Sequence, residues 1–223
     1  MEEFELKGIN GPHAGLRVLV RCKSKNPKQA LLLMHGRGSS GANVMRIVDY
    51  VRIPDDTVIL APTAEGNSWY PNRFFVPQKD NQPYLDSSLS TLNALMNWLK
   101  TGQGLADTEI IAAGFSQGAC LVSQFASRRQ GRLKGVCIWS GGLIGSDDEV
   151  SETDNTGNLM GTPVYLGCDR RDEHIPVVRV ETSAKILEKI GAKVTLEIYD
   201  GLGHAIHERG FRYLESLLQD EKQ

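Results

Sequence analysis

Residues 114–118 read Gly-Phe-Ser-Gln-Gly, a serine between two glycines at the spacing GxSxG. The preceding residues 109–113 are mostly apolar and typical of a buried parallel strand, whereas residues 119–129 carry apolar side chains at helical spacing. Ser116 is therefore predicted on a strand-to-helix turn, where a Cβ at either glycine would collide with its neighbours and the hydroxyl stands clear of the sheet. This context indicates a nucleophile, although GxSxG alone also fits a plain turn between a strand and a helix.

A serine hydroxyl needs an adjacent base, and the base needs a third group that orients it. His204 follows the strand-like residues 193–199 through a glycine-rich turn, which places it on a loop at the carboxyl end of a strand. The other histidines lie in an N-terminal turn, at a strand end, in a later loop and in the last helix, and they are His13, His35, His174 and His207. We therefore predict His204 as the base.

Two aspartates follow the strand predicted at residues 162–167, and either one is a candidate for the orienting acid. Asp172 lies on the loop before a predicted helix at residues 177–190, whereas Asp169 lies nearer the strand end. We predict Asp172 as the acid and expect Asp169 to accept hydrogen bonds from local backbone N–H groups in a turn. The chain order serine, aspartate, histidine is that of α/β-hydrolases.

Acyl transfer also needs two N–H donors for the oxyanion, and Gln117 supplies one directly after the serine. The second is predicted at Arg37, within the bare turn His-Gly-Arg-Gly-Ser-Ser-Gly at residues 35–41. The same turn spells GxGxxG, the fingerprint of a dinucleotide site. That alternative requires an acid at the end of the next strand, residues 57–61, but a proline and a threonine follow it, so we favour the oxyanion hole.

Together these motifs resemble the phospholipase/carboxylesterase family of small α/β-hydrolases, which includes acyl-protein thioesterases and bacterial predicted esterases. The resemblance runs from about residue 30 to the last helix and rests on HGRG at 35–38, GFSQG at 114–118, SGG at 140–142, DEHIP at 172–176 and GLGH at 201–204. It implies an α/β-hydrolase fold with a catalytic triad of Ser116, Asp172 and His204. It also implies an oxyanion hole formed by the backbone N–H groups of Arg37 and Gln117.

Strands alternate with helices along the chain, which predicts an α/β fold with a mostly parallel central sheet and helices on both faces. The seven predicted strands comprise residues 16–22, 30–34, 57–61, 109–113, 135–139, 162–167 and 193–199. An Asn-Gly-Pro turn after residues 4–9 predicts an antiparallel hairpin at the sheet edge. At 223 residues we expect one domain over residues 1–223, without a separate cap domain.

Composition bears on partners and cofactors. A net charge of -2 gives no electrostatic footprint for nucleic acid, and no apolar run reaches the length of a membrane span, so we expect neither nucleic-acid binding nor stable membrane insertion. The four cysteines lack CxxC spacing, which favours a reduced, cytoplasmic setting. No HExxH motif is present, and we expect no metal or cofactor. The sequence does not decide whether two copies of the chain form a homodimer.

Two long segments are expected to shape an open cleft, residues 62–83 with an aromatic cluster and residues 141–161 with a polar, glycine-containing sequence. Trp69 is predicted to contact the acyl or alcohol group, and the alternative is that it fastens the loop to the body. We expect a metal-independent serine hydrolase that cleaves carboxylic esters of small molecules. Lysophospholipase or acyl-thioesterase activity on longer chains, and ligand binding without turnover, are the alternatives.

Overall fold

The computed structural model describes residues 2–151 and 156–219. Eight strands form one sheet in the order β1-β2-β4-β3-β5-β6-β7-β8. The strands are β1 Glu2–Glu5, β2 Arg17–Arg21, β3 Gln29–Met34, β4 Thr57–Pro62, β5 Ile110–Phe115, β6 Gly135–Trp139, β7 Pro163–Asp169 and β8 Lys193–Tyr199. The pairs β1–β2 and β2–β4 are antiparallel and all other pairs are parallel, so the predicted mostly parallel sheet is confirmed.

The helices are α1 Gly41–Met45, α2 Tyr84–Gln103, α3 Gln117–Ser127, α4 Asp147–Ser151, α5 Val177–Lys189 and α6 Glu208–Leu218. Each of the seven predicted strands lies within two residues of its observed bounds. The edge hairpin is also present, but the prediction for its first strand, residues 4–9, was wrong in extent. That strand ends at Glu5, and the chain then turns through Gly8 at φ 83° to bury Ile9 outside the sheet.

Both faces of the sheet are covered, as the apolar strands predicted. In β3, Leu32 and Met34 belong to a core shared with α2, α3 and α5, whereas Leu31 and Leu33 belong to a core shared with α1 and α6. Side chains alternate between faces along a strand, so a continuous apolar strand serves two cores at once. Within the described residues, no helix has both the length and the apolar character required to cross a membrane.

Parallel strands bring the chemically distinctive loops to one edge. The carboxyl ends of β3, β5, β7 and β8 are followed by the HGRG turn, Ser116, the acid loop and the histidine loop, respectively. Sites in open α/β sheets form at this edge because loops from neighbouring parallel strands meet there.

Two buried histidines hold the long segment after β4. The His13 ring donates from Nε2 to the Trp69 carbonyl at 2.9 Å and accepts at Nδ1 from the Glu65 amide at 3.2 Å. His35 accepts at Nε2 from the Ala64 amide at 3.0 Å. Burial lowers the pKa of both histidines and outweighs their hydrogen bonds to backbone carbonyls, so both rings are neutral in the folded protein.

We expect the free energy of unfolding to fall as the pH drops below about 6.5, the ordinary pKa of histidine, because the unfolded chain then binds protons that the folded chain rejects. Each histidine lowers the free energy of unfolding by at most about 1.4 kcal/mol per pH unit in that range. Buried carboxylates with lowered pKa, such as Asp169 and Asp172, lose their contribution only at lower pH. Urea unfolding at about pH 7.5, 6.5 and 5.5 measures the slope.

The histidine variants His13→Gln and His35→Gln, with Ser88→Ala as a control, identify the source of that slope. His13→Gln should flatten it, because an amide does not titrate. Ser88→Ala removes a 2.6 Å hydrogen bond to the same Trp69 carbonyl and should lower stability equally at each pH. A slope that survives unchanged in both His13→Gln and His35→Gln would show that these histidines are not its cause.

Candidate active site

The predicted turn at the serine is present between β5 and α3. Ser116 has φ 56° and ψ -119°, a strained backbone conformation for a residue with a side chain. A Cβ on Gly114 would overlap the carbonyl of Gly118, and a Cβ on Gly118 would overlap the carbonyl of Met34. Both glycines are therefore required by close packing of α3 against the strands, which is the physical reason for the GxSxG spacing.

His204 lies between Ser116 and Asp172. Its Nε2 is 2.8 Å from the Ser116 Oγ, and its Nδ1 is 2.8 Å from the Asp172 Oδ2. An ionised carboxylate only accepts, so Nδ1 carries the proton and Nε2 accepts from the serine hydroxyl. The rings of Phe115 and His174 pack against the imidazole at centroid distances of 4.9 and 4.7 Å. The three predicted residues thus form one continuous hydrogen-bonded chain.

Asp172 is ionised although its side chain is completely buried. Burial by itself would raise the pKa of this carboxyl, but the hydrogen bonds from His204 and from the amides of His174 and Ile175 outweigh it and hold the pKa below its ordinary value. The amide distances are 2.9 and 3.0 Å. The Cys168 thiol, whose pKa burial raises to about 12, also donates to Asp172 at 3.7 Å.

Asp169 is the buried last residue of β7 and, unlike Asp172, does not bond His204. Its carboxylate accepts from the Arg171 amide at 2.8 Å, as expected of a turn residue. It also accepts from the Leu202 amide at 2.6 Å, in the loop that carries His204. These amides lower the pKa of Asp169. The second bond, which local sequence did not indicate, ties the acid loop to the histidine loop.

The turn with HGRG lies directly against the serine. A Cβ on Gly36 would sit 3.3 Å from the Ser116 Cβ, and Gly38 adopts φ 73°. The amide of Gln117 opens α3 and so has no intrahelical acceptor, and the amide of Arg37 donates to no carbonyl of the described residues. The structure therefore brings both predicted donors to the neighbourhood of Ser116, with their N–H groups available.

The side chains of these two residues have a separate structural role that the sequence did not reveal. The side-chain Oε1 of Gln117 accepts from the backbone N–H of Trp69 at 2.9 Å, and its Nε2 donates to the Tyr70 carbonyl at 2.8 Å. The Arg37 guanidinium donates to the carbonyls of residues 71–72. The side chains of both residues thus fasten residues 69–72 beside the cleft.

Glycines 36, 38 and 41 have structural reasons that do not involve phosphate, namely close packing at Gly36 and Gly41 and a left-handed backbone with φ 73° at Gly38. A Cβ on Gly41 would overlap the Ala61 carbonyl, and the Gly41 amide donates to the Thr63 Oγ1 at 3.0 Å. Thr63 follows β4 at the point where a ribose-binding acid is expected. Within residues 2–151 and 156–219, no cluster of histidine, cysteine, aspartate and glutamate could hold a metal ion.

A cleft of about 630 Å³ opens at Ser116. Its lining comprises Gly36, Arg37, Ser39, Asn43, Val44, Ile47, Tyr70, Arg73, Phe74, Phe75, Phe115, Ser116, Gln117, Cys120, His174, Ile175, His204 and Ile206. Phe74 is held from behind by the buried Arg179, whose guanidinium carbon lies 5.7 Å from the ring centroid. Arg179 also donates to the carbonyl of Gly145 at 2.7 Å, in the predicted second rim, of which residues 152–155 lie outside the described residues.

Comparison with known proteins assigns the family. A model of the phospholipase/carboxylesterase family matches residues 17–221. The crystal structure of a phospholipase/carboxylesterase from Dyadobacter fermentans superposes with a TM-score of 0.85 at 31% identity, covering 95% of this chain and 100% of that one. The chain belongs to the phospholipase/carboxylesterase family. The resemblance seen in its motifs is therefore confirmed.

Two curated proteins are also similar to this family member over most of their length. Esterase YpfH of Escherichia coli (strain K12) is 25% identical over 203 residues, which cover 87% of this chain and 84% of that protein. Acyl-protein thioesterase 1 of Eremothecium gossypii is 27% identical over 206 residues, which cover 85% and 86%. The similarity therefore extends to both the esterase and the thioesterase branches of the family.

The position of Trp69 in this family member corrects its predicted role. Trp69 is fully buried and absent from the cleft wall, with its indole N–H donating to the His35 carbonyl at 2.9 Å. Its backbone is held by Gln117 and Ser88, which turns the ring inward. Trp69 fastens the loop to the body of the protein, which was the alternative to substrate contact, and the aromatic residues at 70, 74 and 75 line the cleft instead.

Trp69→Ala should therefore lower the free energy of unfolding by about 3–5 kcal/mol, because it leaves a large cavity and frees buried polar groups. Phe75→Ala, at a partly exposed cleft position, should cost about 1 kcal/mol. Urea unfolding of both variants measures the difference. Equal losses would argue against Trp69 as the fastening residue.

Asp169→Asn should lower the free energy of unfolding by about 1–3 kcal/mol, because an amide group cannot accept at both of its ends from the Arg171 and Leu202 amides. Asp200→Asn is the matched control in the same region, since Asp200 is exposed and pairs only with Arg170 at 3.3 Å. Its loss should stay below about 1 kcal/mol. Urea unfolding compares the two, and a loss for Asp169→Asn no larger than the control would mean that the loop-to-loop bond contributes little.

Proposed function

We propose that this protein is a carboxylic ester hydrolase that works through an acyl-enzyme. The observation that carries the proposal is the continuous chain from the Ser116 Oγ through His204 to Asp172, with 2.8 Å at each link, opening into an apolar and aromatic cleft. Family membership supports the same reaction class. A hydrolase-fold protein that only bound a ligand would have no need of a strained serine aligned with a base.

In the proposed reaction the Ser116 Oγ attacks the ester carbonyl carbon while the His204 Nε2 takes the serine proton. The carbonyl oxygen becomes an oxyanion, stabilised by the N–H groups of Arg37 and Gln117 and by the positive end of the α3 dipole. Collapse of the tetrahedral intermediate breaks the bond to the alcohol, which receives the proton from the imidazolium. Asp172 stays ionised and stabilises that imidazolium.

Deacylation repeats the same steps with water. His204 takes a proton from a water molecule, whose oxygen attacks the acyl carbon, and then returns the proton to the Ser116 Oγ as the acid leaves. The hydrogen bonds of His204 suit this cycle, since its Nε2 faces the Ser116 Oγ and its Nδ1 is held by Asp172.

Acyl-thioesterase or lysophospholipase activity is the second candidate, because thioesters and long-chain esters need the same triad. The aromatic wall of Tyr70, Phe74 and Phe75 offers burial for a hydrocarbon chain. Similarity to proteins named acyl-protein thioesterase 1 is consistent with this candidate.

The cysteines are free thiols in the structure, which supports our further proposal of a reducing, cytoplasmic setting.

Ser116→Ala should lower kcat on p-nitrophenyl acetate by at least about 10⁴-fold while leaving the urea midpoint near that of the wild type, because only the nucleophile is removed. A fluorophosphonate should add to the wild type and not to the variant, as read by intact mass. Turnover by Ser116→Ala within about tenfold of the wild type would eliminate Ser116 as the nucleophile.

Asp172→Asn should lower kcat by up to about 10⁴-fold, because an amide that donates to Nδ1 leaves His204 in the wrong tautomer. Asp169→Asn, measured where that variant is folded, should lose far less, since Asp169 makes no bond to the imidazole. If Asp169→Asn collapses while Asp172→Asn remains near wild type, the assignment of the acid is wrong.

A further inference from the structure

The cleft is positively charged although the whole chain has a formal net charge of -2. Arg37 and Arg73 line it, and none of the described residues in its lining is an aspartate or glutamate. Binding of an apolar ligand does not require arginine side chains in the wall of the cleft. A cluster of one charge sign inside a cleft focuses the field and concentrates ligands of the opposite sign.

The two arginines lack carboxylate partners within the described part of the chain. Arg37 donates only to the carbonyls of residues 71–72 and lies 5.9 Å from the Tyr70 ring centroid. Arg73 has its guanidinium carbon 5.6 Å from the Phe75 ring centroid and donates no side-chain hydrogen bond to a described residue. Carbonyls and aromatic faces orient a guanidinium without neutralising its charge.

Several arginines outside the cleft lining pair with acids. Arg17, Arg129 and Arg179 contact Glu3, Asp107 and Asp147, respectively. The last of these pairs lies behind the cleft wall, where Asp147 accounts for the charge of Arg179. Other arginines, such as the exposed Arg132, also lack an acid partner among the described residues, but Arg37 and Arg73 are the arginines in the cleft lining.

The acid nearest the reacting groups lies outside the cleft lining. Asp172 is buried behind the imidazole and accepts hydrogen bonds from His204, Cys168 and the amides of residues 174–175. The amino end of the eleven-residue helix α3, at Ser116, adds a partial positive charge on the cleft side. The guanidinium groups of Arg37 and Arg73 in the cleft lining are therefore available to a substrate group with negative charge.

We propose that the substrate is an ester that carries a carboxylate away from the scissile bond, with the carboxylate bound by Arg73 and its hydrocarbon part packed on Phe74 and Phe75. This inference rests on the proposed ester hydrolysis and names its substrate class. Arg73 offers one planar fork of N–H donors, which matches a planar carboxylate. A phosphate group has three acceptor oxygens and up to two negative charges, so it is bound by several donors. Among the described residues, the cleft offers fewer donors than that beside Arg73.

Three methyl esters of one chain length test the charge preference: monomethyl adipate, methyl hexanoate and methyl 6-aminohexanoate. Hydrolysis by the wild-type protein in a pH-stat near neutral pH and at low salt should give kcat/KM in the order anion, neutral ester, cation, with at least about a tenfold advantage for the anion over the neutral ester. Added salt should reduce that advantage, because it screens the field. Equal kcat/KM for monomethyl adipate and methyl hexanoate would overturn the inference.

A pair of variants assigns the preference to Arg73. Arg73→Gln should reduce the ratio of kcat/KM between monomethyl adipate and methyl hexanoate by about three- to tenfold. Arg132→Gln removes the same charge from an exposed position outside the cleft lining and should leave the ratio as in the wild type. Equal changes of the ratio in both variants would show that total charge, not Arg73, sets it. Preference for the 6-phosphate analogue of methyl hexanoate over monomethyl adipate would overturn the choice of carboxylate.

Failure of this inference and failure of the proposed function are distinguishable. If the fluorophosphonate labels Ser116 and the esters react without charge preference, or not at all, the substrate class is wrong and the serine hydrolase proposal stands. If neither labelling nor hydrolysis of any ester occurs, the proposed function itself fails, and the substrate class fails with it.

Discussion

The close approach of helix α3 to the carboxyl end of the sheet is the constraint on which the rest of the site depends. Gly118 packs onto the carbonyl of Met34 at the end of β3, and Gly114 packs onto the carbonyl of Gly118, so any Cβ at either position would push the helix outward. The same turn strains Ser116 and leaves the amide of Gln117 at the open end of the helix. Strain at this residue is maintained because the packed sheet around it outweighs its cost.

The turn at Ser116 and the neighbouring HGRG turn also position the cleft wall, because the side chains of Gln117 and Arg37 hold residues 69–72. Gln117 and Arg37 hold the aromatic segment through its carbonyls and amides, while the neutral rings of His13 and His35 hold the same segment from beneath. Trp69 fills the space between them. The wall of the cleft is therefore positioned by buried hydrogen bonds that belong to the protein body, and not by the loop's own sequence alone.

The two aspartates at and after the end of β7 have different tasks. Asp172 turns its charge toward His204, and Asp169 turns its charge toward backbone amides of both loops. Buried carboxylates are stable only when their oxygens are filled by donors, and each aspartate meets that demand with a different set. Their joint effect is to hold the histidine loop at a fixed distance from the serine.

The sequence by itself predicted the strand-helix alternation and the turn at Ser116, because these depend on local periodicity and on glycines with a steric reason. It also predicted that His204 and Asp172, and not Asp169, lie in line with the serine, from their positions on the loops and from the motifs around them. Tertiary structure alone decided the roles of Trp69 and Asp169 and the charge of the cleft. An aromatic residue in a long loop has no periodicity to show which way it points, and Asp169 bonds an amide 33 residues away. Whether Arg37 and Arg73 meet a carboxylate likewise depends on which distant side chains fold beside them, and that is settled only when the sheet has brought the loops together.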